Sequence, residues 1–414
     1  MRDEMKKVPR LRFRGFSEDW ELCKLGDCSE ILTGGTPKTS ISEYWEPKKI
    51  PWMSSGEVNK RRLDKTDNMI SEEGLDNSSA RWIKKHSVLI ALAGQGKTRG
   101  TVAVNNINLT TNQSIAAIVP NDNLHYEFIY QNLTKRYDEL RMISSGDGTR
   151  GGLNKQIVSD VIILSPSKEE QIRIGAFFKR LDYAITLHQR KSDQLKELKK
   201  AYLQVMFPKK DETVPRVRFT DFEGEWEQCK LGKIGKTQSG IGFPDVEQGG
   251  TEGIPFYKVS DMNNPGNEHE MINANNFVNK EQLKRKKWKP IETVPAIMFA
   301  KVGAAIMLNR KRLVTSSFLI DNNTMAYIFD NSWDTNFGKT LFETINLPRY
   351  AQVGALPSYN GLDIESIEVI LPNKDEQAKI GEHFSNLENL ITLHQNKLEQ
   401  LNELKKSYLQ NMFI

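Results

Sequence analysis

The chain has 414 residues, of which 38% are hydrophobic and 27% are charged, and its formal net charge is +5. This length exceeds what one hydrophobic core usually supports, so two or more domains are expected. No apolar run approaches the ~18 residues of a membrane span, and the N-terminal MRDEMKKVPRLRFRG lacks the apolar segment of a signal peptide. The basic excess permits a polyanionic partner. Cys23, Cys28 and Cys229 lack metal-ligand spacing and suit a reducing cytoplasm.

A glycine-rich loop between two apolar segments is the first candidate site. Residues 91–98 read ALAGQGKT, which differs from the phosphate-binding pattern G-x-x-x-x-G-K-[ST] only at the first glycine. A phosphate-binding loop opens a helix, but TRGTVAVNN follows here and indicates a second strand and a turn. The sequence therefore predicts a β-hairpin and disfavours the alternative, an NTPase. Lys97, Thr98 and Arg99 would lie at the hairpin tip, within reach of phosphates or guanine edges.

Three further segments of the first half are candidate nucleic-acid contacts. TTNQSIAAIVP places an Asn and a Gln, which can pair with adenine edges, just before an apolar strand. KRRLD is a dense run of cations, and GDGTRGGLN combines an arginine with glycines that let the backbone approach a ligand. The alternative is an ordinary turn before a strand for TTNQ and a solvated face for KRRLD. The candidate residues are Lys60, Arg61, Arg62, Thr111, Asn112, Gln113 and Arg150.

Residues 169–206 are predicted to form one long helix, because they contain no proline and are rich in Leu, Lys, Glu and Gln. Residues recur along one seam at alternating steps of four and three, which is typical of a helix packed against another helix as a coiled coil. We also assign Leu187 and Leu198 to this face. The main seam residues are Phe178, Leu181, Ile185, His188, Leu195 and Tyr202. No second ligand accompanies the histidine, so we interpret it as a packed or partner-facing side chain.

The chain is a tandem duplication. VPRLRFRGFSEDWELCKLGD (8–27) matches VPRVRFTDFEGEWEQCKLGK (214–233), and 168–207 matches 374–413, with both pairs displaced by 206 residues (8 to 214 and 168 to 374). Between these shared segments the halves diverge at closely matched length, which favours two recognition domains on one frame over unconstrained drift. The second seam contains Phe384, Leu387, Ile391, His394, Leu401 and Tyr408.

The second half places different polar residues at the corresponding points. The segment VPAIMFAKVGAAIMLNR (294–310) occupies the place in the second half that corresponds to the first hairpin. It consists of an apolar strand, Lys301, Gly303 and a second apolar run, and NRKR (309–312) is expected at the tip of this second hairpin. KRKKWKP suits either a DNA-facing surface or a solvated helix end, and DNNT replaces TNQ. IPFYKVSDMN aligns with IPWMSSGEVN, and VGALPSYNG with GDGTRGGLN. The candidate residues are Lys258, Lys287, Lys301, Arg310, Lys311, Arg312, Ser358 and Tyr359.

The order of these motifs resembles the DNA-specificity (S) subunit of type I restriction–modification systems. The resemblance rests on the F-x-x-x-W-E-x-x-x-L-G segments from Phe16 and Phe222, the P-x-x-x-E-Q openings at Pro166 and Pro372, and the ITLHQ…YLQ-x-MF helices. It covers essentially the whole chain. It implies α/β (α+β) target-recognition domains at 1–165 and 208–371, each followed by a long helix. The helices, 166–207 and 372–414, would pack as an antiparallel coiled coil.

The resemblance also implies a function. Each domain would read one half of a split, asymmetric sequence in double-stranded DNA, while the helices set the spacing and dock two modification (methyltransferase) subunits. Restriction–translocase subunits would join outside them. S-adenosylmethionine, ATP and magnesium would bind those partners, so this cytoplasmic chain would hold no cofactor or metal. It is expected to be non-catalytic, since NLPRY (346–350) departs from the adenine-methyltransferase motif N-P-P-Y at two positions. The alternative is a coiled-coil adaptor whose two globular domains bind proteins.

Overall fold

The computed structural model of the chain describes residues 8–94, 98–143, 152–209, 211–352, 354 and 356–414. It divides into two compact units, and we call residues 1–189 with 396–414 the first unit and residues 190–395 the second unit. Both boundaries lie inside the long helices, so each unit combines a globular part with segments of both helices. The domain boundaries predicted at 165 and 371 instead separate the helices from the globular parts.

The sheets of the first unit are built from short strands. They are β1 (Glu21–Lys24), β2 (Ser29–Thr33), β3 (Ile50–Met53), β4 (Arg62–Leu63), β5 (Asn68–Ile70), β6 (Val88–Ala91), β7 (Val102–Asn105), β8 (Thr110–Thr111), β9 (Ile115–Pro120) and β10 (Ile162–Ser165). A five-stranded sheet has the order β2–β9–β6–β7–β4, a smaller sheet has the order β5–β3–β8, and β1 pairs with β10. The predicted hairpin is therefore formed by β6 and β7.

The helices of this part are short except for the last. They are α1 (Leu25–Cys28), α2 (Glu72–Asp76), α3 (Tyr126–Lys135), α4 (Tyr137–Ile143), α5 (Lys155–Ser159) and α6 (Lys168–Val205), with 3-10 turns at Ser42–Tyr44 and Ser55–Lys60. The long helix predicted over 169–206 is confirmed. Pro166 precedes its start and Pro208 follows its end, because proline cannot continue a hydrogen-bonded helix.

Strand β6 explains why the sequence around it is continuously apolar. Val88 and Ile90 point into the core formed with α3, whereas Leu89 and Ala91 point into a second core that includes Met53 of β3. Successive side chains of a strand alternate between its two faces, so a strand covered on both sides needs apolar residues throughout.

The second unit repeats this arrangement. Its strands are β11 (Glu227–Lys230), β12 (Gly235–Ser239), β13 (Ile254–Tyr257), β14 (Phe277–Val278), β15 (Ala296–Ala300), β16 (Lys311–Val314), β17 (Leu319–Ile320), β18 (Thr324–Phe329) and β19 (Glu368–Leu371). The sheet orders β12–β18–β15–β16, β14–β13–β17 and β11–β19 correspond to those of the first unit. Within the described residues, β4 is without an equivalent strand.

The remaining helices are α7 (Lys280–Lys286), α8 (Thr335–Thr344), α9 (Gly361–Glu365) and α10 (Lys374–Met412). Five 3-10 turns accompany them in the described part of the second unit: Leu231–Lys233, Asp245–Glu247, Val259–Asn263, Ala304–Leu308 and Leu347–Tyr350. The predicted mixed α and β content is confirmed in both units. Over the described residues, no helix is both long enough and apolar enough to cross a membrane.

The repeated tryptophan of the W-E motif joins each globular part to the end of a long helix. In the first unit Trp20 is buried and its ring lies edge-on to Phe413, with centroids 6.4 Å apart. In the second unit Trp226 lies edge-on to Phe207 at 6.2 Å. Such T-shaped pairs add to the free energy gained from burying the rings.

The Glu of each P-x-x-x-E-Q motif is a buried ion-pair partner. Arg12 donates from Nε and Nη2 to the Glu170 carboxylate at 2.8 and 2.7 Å, and Arg218 donates to Glu376 at 2.7 Å from both nitrogens. Both carboxylates have no exposed surface. The arginines lie in the segments that precede each tryptophan, so these bonds hold the segment against the start of the long helix.

The Gln of the same motif closes the helix start. Gln171 donates to the carbonyl of the proline five residues earlier and accepts a bond from the backbone N–H of His125, just before α3. Gln377 makes the same two bonds, the second from the N–H of Asp334, just before α8. The motif therefore ties the start of each long helix to the start of α3 or α8.

Within the first unit, the start of α6 packs against the end of α10. The rings of Phe177 and Tyr408 lie 4.9 Å apart, and Lys405 Nζ lies 2.6 Å from Asp182. Because early residues of one helix contact late residues of the other, the helices run antiparallel there.

Within the second unit, the same contacts recur with the helices exchanged. His383 and Tyr202 have ring centroids 4.9 Å apart, and Lys199 Nζ lies 2.6 Å from Glu388. All twelve predicted seam residues are buried or half-buried. The assignment of Leu187 and Leu198 to this face was wrong, since they are 52% and 41% exposed. Leu187 lies about 100° around the helix from the seam histidine, which turns it outward.

The cysteines differ between the halves. Cys23, in β1, and Cys28, at the end of α1, form a disulfide with their Cα atoms 6.5 Å apart, and Cys229 is free. The spacing of the three cysteines does not predict this pair. The tight strand-to-helix turn brings the two side chains together, within the range of Cα separations that disulfides adopt.

Candidate nucleic-acid interface

The predicted hairpin of the first unit is present, and a strand follows its loop. Ile90 pairs with Val102 in antiparallel register, and Gly100 N donates to Ala91 O at 2.9 Å. The NTPase alternative needs a helix at this point, so its structural requirement is not met. Thr98 and Arg99 are half-buried at the return of the loop, whereas Lys97 lies outside the described residues.

A turn after β8 lies beside this hairpin. Leu92 N donates to Ser114 O at 2.8 Å, which ties the hairpin to the T-N-Q segment. Gln113 is exposed and accepts a 2.6 Å hydrogen bond from the hydroxyl of Thr36, which follows β2. Asn112 is half-buried, and its side chain accepts from Ser114 N. We call Thr36, Asn112 and Gln113 the first polar edge.

Thr36 was missed in the sequence analysis, although its neighbours carried a signal. A Cβ at Gly34 would overlap the carbonyl oxygen of Thr111, so only glycine permits this close approach of β2 to β8. The glycine pair before Thr36 is therefore the sequence feature that marks the edge. The prediction of Thr111 as a nucleic-acid contact was wrong, because Thr111 lies in β8 and has no exposed surface.

The KRRLD segment is bound to acidic groups of the first unit. Arg62 donates to both carboxylate oxygens of Glu127 and to Asp182 at 2.6 to 3.0 Å. Burial opposes this charge, but the hydrogen bonds with Glu127 prevail and raise the pKa of Arg62. Lys60 is bonded to Glu57 and Asp67. The structure thus places Arg62 in a structural ion-pair network rather than on an open DNA-facing surface.

Arg61 and Arg150 complete the first set of predicted contacts. Arg61 is exposed and has a positive φ of 66° at the end of its 3-10 turn. Arg150 lies outside the described residues. Leu153, which follows it after a short interval, donates from its backbone to Leu92 O at 3.1 Å. The described end of the GDGTRGGLN segment, residues 152–154, therefore adjoins the hairpin.

The hairpin of the second unit differs from the prediction. β15 and β16 pair, but the connection from Lys301 to Arg310 contains the 3-10 turn Ala304–Leu308. The placement of NRKR at the tip was wrong, because Lys311 and Arg312 lie within β16 and are half-buried. The prediction treated AAIML (304–308), the apolar run before NRKR, as a strand, whereas its alanines and the preceding Gly303 permit a short helical turn.

The cations of β16 are held close to the protein surface. Lys311 Nζ donates to Ile345 O at 2.6 Å, and burial lowers the pKa of Lys311 to about 8. Arg310 donates to the side chain of Asn263. Burial also lowers the pKa of Arg312, whose Nη1 donates to a backbone carbonyl and whose Nε has no partner.

The segment after α8 supports the second hairpin with its backbone. Gly303 N donates to Pro357 O at 2.9 Å, and Tyr359 N donates to Lys301 O at 3.0 Å. Ser358 is half-buried and bridges to Val302. Tyr359 is only 3% exposed, and burial raises its pKa to about 12. Ser358 and Tyr359, which were predicted as DNA contacts, therefore hold the second hairpin through their backbones, and the side chain of Tyr359 lies in the protein interior.

The D-N-N segment occupies the place of T-N-Q. Asp321 N donates to Tyr257 O, as Asn112 N donates to Met53 O in the first unit. Asp321 is buried, and this burial raises its pKa. Asn323 is exposed, and its carbonyl accepts a bond from Lys301 N. We call Lys301, Asn322 and Asn323 the second polar edge.

The last two predicted cations lie elsewhere in the second unit. Lys258 Nζ donates to Gln248 at 3.1 Å. Lys287 is exposed and ends α7 in a left-handed conformation with φ 56°. KRKKWKP is thus a helix end, and its Trp288 packs on Phe256 at 5.4 Å.

Among the described residues, one group has metal-ligand spacing: His269, Glu343 and Glu388. Lys199 bonds both carboxylates at 2.6 to 2.7 Å, and Lys339 bonds Glu388 as well. Positive charge already occupies the position that a cation would take, so we interpret the group as an ion-pair cluster.

The architecture defines a tandem recognition protein, in which two copies of one α/β domain present polar edges of different composition. The sequence profile described as "Type I restriction modification DNA specificity domain" matches residues 17–197 and again 223–403. The chain therefore belongs to this family, and it is a type I restriction–modification specificity subunit with two tandem domains.

Relatives agree with this assignment. The chain is 28% identical over 317 residues to the type I restriction enzyme MjaIX specificity subunit of Methanocaldococcus jannaschii, which covers 74% of this chain and 71% of that protein. It is 26% identical over 175 residues to the EcoR124I/EcoR124II specificity subunit of Escherichia coli, covering 42% of this chain and 43% of that one. The fold is similar to a crystal structure of a type I S subunit from M. genitalium, with a TM-score of 0.67, 15% identity and coverage of 98% and 99%.

Proposed function

We propose that each unit reads one half of a split, asymmetric sequence in double-stranded DNA, and that the chain itself catalyses no reaction. The observation that carries this proposal is the contrast between a repeated frame and different edges. Both units place a polar turn beside the β6–β7 or β15–β16 hairpin, but the turn reads T-N-Q in one and D-N-N in the other. A symmetric site would need two similar edges.

The first polar edge has the chemistry of a base reader. Gln113 and Thr36 are exposed and already hydrogen-bonded to each other, which holds the amide in one orientation. An oriented amide can bond the two polar groups on an adenine edge in the major groove. Arg99, on the adjacent hairpin, would contact phosphate or guanine.

The second polar edge is more basic. Lys301 and Asn323 are joined through the backbone, and Lys311 and Arg312 lie on β16, the strand that pairs with β15. Lysine contacts with phosphate position a domain on DNA, while asparagine contacts carry sequence information.

We further propose that two modification (methyltransferase) subunits dock on the long helices. The repeat carries exposed leucines at matching points: the first unit exposes Leu187 and Leu404, and the second unit exposes Leu393 and Leu198, each by 41 to 62%. Large apolar residues exposed at repeated positions are typical of a protein–protein interface. Restriction–translocase subunits would join this complex in the cytoplasm, and S-adenosylmethionine, ATP and magnesium would bind the partners.

Co-expression with the neighbouring modification subunit in a host that lacks DNA methylation tests the proposal. Genome-wide mapping of methylated adenines should give one bipartite, asymmetric motif. Substitution of Gln113 by Ala should relax one half of the motif, and substitution of Asn323 should relax only the other half.

A stable complex of the two proteins without any methylated motif would instead support the adaptor alternative. That alternative also predicts binding that depends weakly on salt. Contacts with phosphates impose a steep salt dependence, because each one releases condensed counterions from the DNA.

A further inference from the structure

The connection between β15 and β16 exposes two large apolar side chains. Met307 is 66% exposed and Leu308 is 58% exposed, side by side in the 3-10 turn Ala304–Leu308. The corresponding connection of the first unit ends in the polar residues Thr98 and Arg99. Two adjacent apolar side chains held in water at a hairpin end indicate a contact with another molecule.

This connection is braced on both sides. Ile306 is 2% exposed and anchors the turn in the core, and Gly303 N is bonded to Pro357 O. Asn309 adopts a left-handed conformation with φ 50°, and its side-chain oxygen accepts a bond from Leu347 N at 3.1 Å. Because backbone and side-chain bonds fix the turn, Met307 and Leu308 are held outward rather than collapsed onto the domain.

The surroundings of the turn favour a polyanion. Leu308 lies at a cavity of about 340 Å³ within the second unit, which is also lined by Arg310, Lys311 and Arg312. Lys199 and Lys339 line the same cavity, although Glu343 and Glu388 neutralise them. Glu268 also lines the cavity and offsets part of this charge, so Arg310, Lys311 and Arg312 leave a net positive charge at the base of the apolar turn.

The partner that fits both features is duplex DNA entered through its major groove. β16 is the edge strand of the four-stranded sheet, so only the turn that connects β15 to β16, and not the sheet, would have to enter this groove. The apolar feature that DNA displays there is the C5-methyl group of thymine, while cations at the base of the turn would meet the phosphates. A protein partner would be matched to the apolar tip but not to the cations beneath it.

We propose that Met307 and Leu308 are specificity-determining residues that recognise a thymine methyl group in the half-site read by the second unit. This inference rests on the proposed function, since it assigns one contact within the DNA site. The first unit reads its half without such a contact, because its hairpin carries polar residues at this position.

The test compares thymine with uracil, which differs only in lacking the methyl group. The assembled complex of this chain with its modification subunit is titrated with duplexes in which each thymine of the bipartite site is replaced in turn. For the native chain, uracil at one or two positions of the second half-site should weaken binding about fourfold per methyl group. Uracil in the first half-site should have no effect.

Met307→Ala and Leu308→Ala then test whether these side chains make the contact. At least one of them should weaken binding to the thymine duplex and remove the difference between thymine and uracil at the same position. Val246→Ala, which shortens an 87% exposed apolar residue elsewhere in the second unit, is the matched control and should leave both affinities unchanged. Unfolding midpoints of all three variants should match the native chain.

The outcomes separate the two proposals. Failure of the native complex to prefer any bipartite duplex would contradict the proposed function itself. If the native complex prefers the bipartite duplex but neither variant changes the effect of uracil, only the proposed methyl contact is overturned. Loss of the modification subunit from either variant would also overturn it, by showing that the turn contacts protein.

Discussion

The two units differ most where their hairpins meet solvent and least where the helices meet the globular parts. Val102 of the first unit pairs with Ile90, the second-last residue of β6, and Lys311 of the second unit pairs with Phe299, the second-last residue of β15. The two residues therefore hold the same position in their hairpins. A buried valine in one unit thus corresponds to a half-buried lysine in the other. The segments that both halves share cannot vary in this way. Trp20 and Trp226 each pack on a phenylalanine just past the end of a long helix, and Glu170 and Glu376 each bond an arginine.

The largest expected effect comes from breaking the aromatic anchor of one unit. Phe413→Ala removes a buried ring that packs on Trp20 and Phe178, and should destabilise the first unit by about 3–5 kcal/mol. Phe207→Ala should do the same to the second unit. Hydrogen exchange read peptide by peptide would locate the loss of protection. Equal loss in both units from one substitution would contradict the independence of the two anchors.

A smaller effect is expected from the ion pairs at the helix starts. Glu170→Gln should destabilise the first unit by about 2–3 kcal/mol, less than for a wholly buried pair because Arg12 is 14% exposed. Glu376→Gln is the matched change in the second unit. Denaturant titration measures both, and combining Glu170→Gln with Arg12→Met should recover part of the loss. A double variant as unstable as the sum of the two single variants would exclude this coupling.

Changing the first polar edge should alter recognition with little effect on stability. Gln113→Ala is expected to lower discrimination at one base pair by about 1–3 kcal/mol, which is roughly 5- to 150-fold. Methylation rates on duplexes with single base-pair changes measure this discrimination. The second half-site serves as the internal control, and a change of specificity there would show that the halves are not read separately.

The smallest effect concerns the lysine that has no counterpart in the first unit. Burial lowers the pKa of Lys311 to about 8, so its charged form is disfavoured by folding. The resulting penalty is fully present below pH 8 and is relieved as the pH rises from 8 toward the unfolded value of about 10.5. Lys311→Val removes this penalty and should stabilise the second unit at pH 7. The expected gain is only about 1 kcal/mol, because the side chain is partly exposed and solvent screens its charge.

The measurement is the unfolding free energy of the native chain and the variant between pH 7 and 10.5. The difference between them should shrink as the pH rises. A difference that is independent of pH would show that packing, and not the charge of Lys311, determines the effect.

The motifs that the two halves share could be interpreted from the sequence, because their repetition revealed them. The offset of 206 residues identified both helices, and their proline boundaries agree with the structure. The seam was also predicted from its spacing of four and three residues. The first hairpin was predicted because its β-branched strand and turn are local signals.

The candidate interface was predicted less completely. Arg62 was a plausible DNA contact until the structure placed it on Glu127 and Asp182, which lie 65 and 120 residues away. Thr36 was missed for the same reason, since its partner Gln113 is 77 residues distant. A run of cations in a sequence does not reveal which carboxylates will neutralise it.

The sequence by itself determined the duplication, the two long helices, the family and the places where the halves diverge, because these depend on repetition and short-range periodicity. Only the tertiary structure decided which cations remain available, that the second hairpin carries a 3-10 turn, and which leucines face outward. Those properties depend on partners brought together by folding, and on competition between burial and hydrogen bonding that local sequence does not encode.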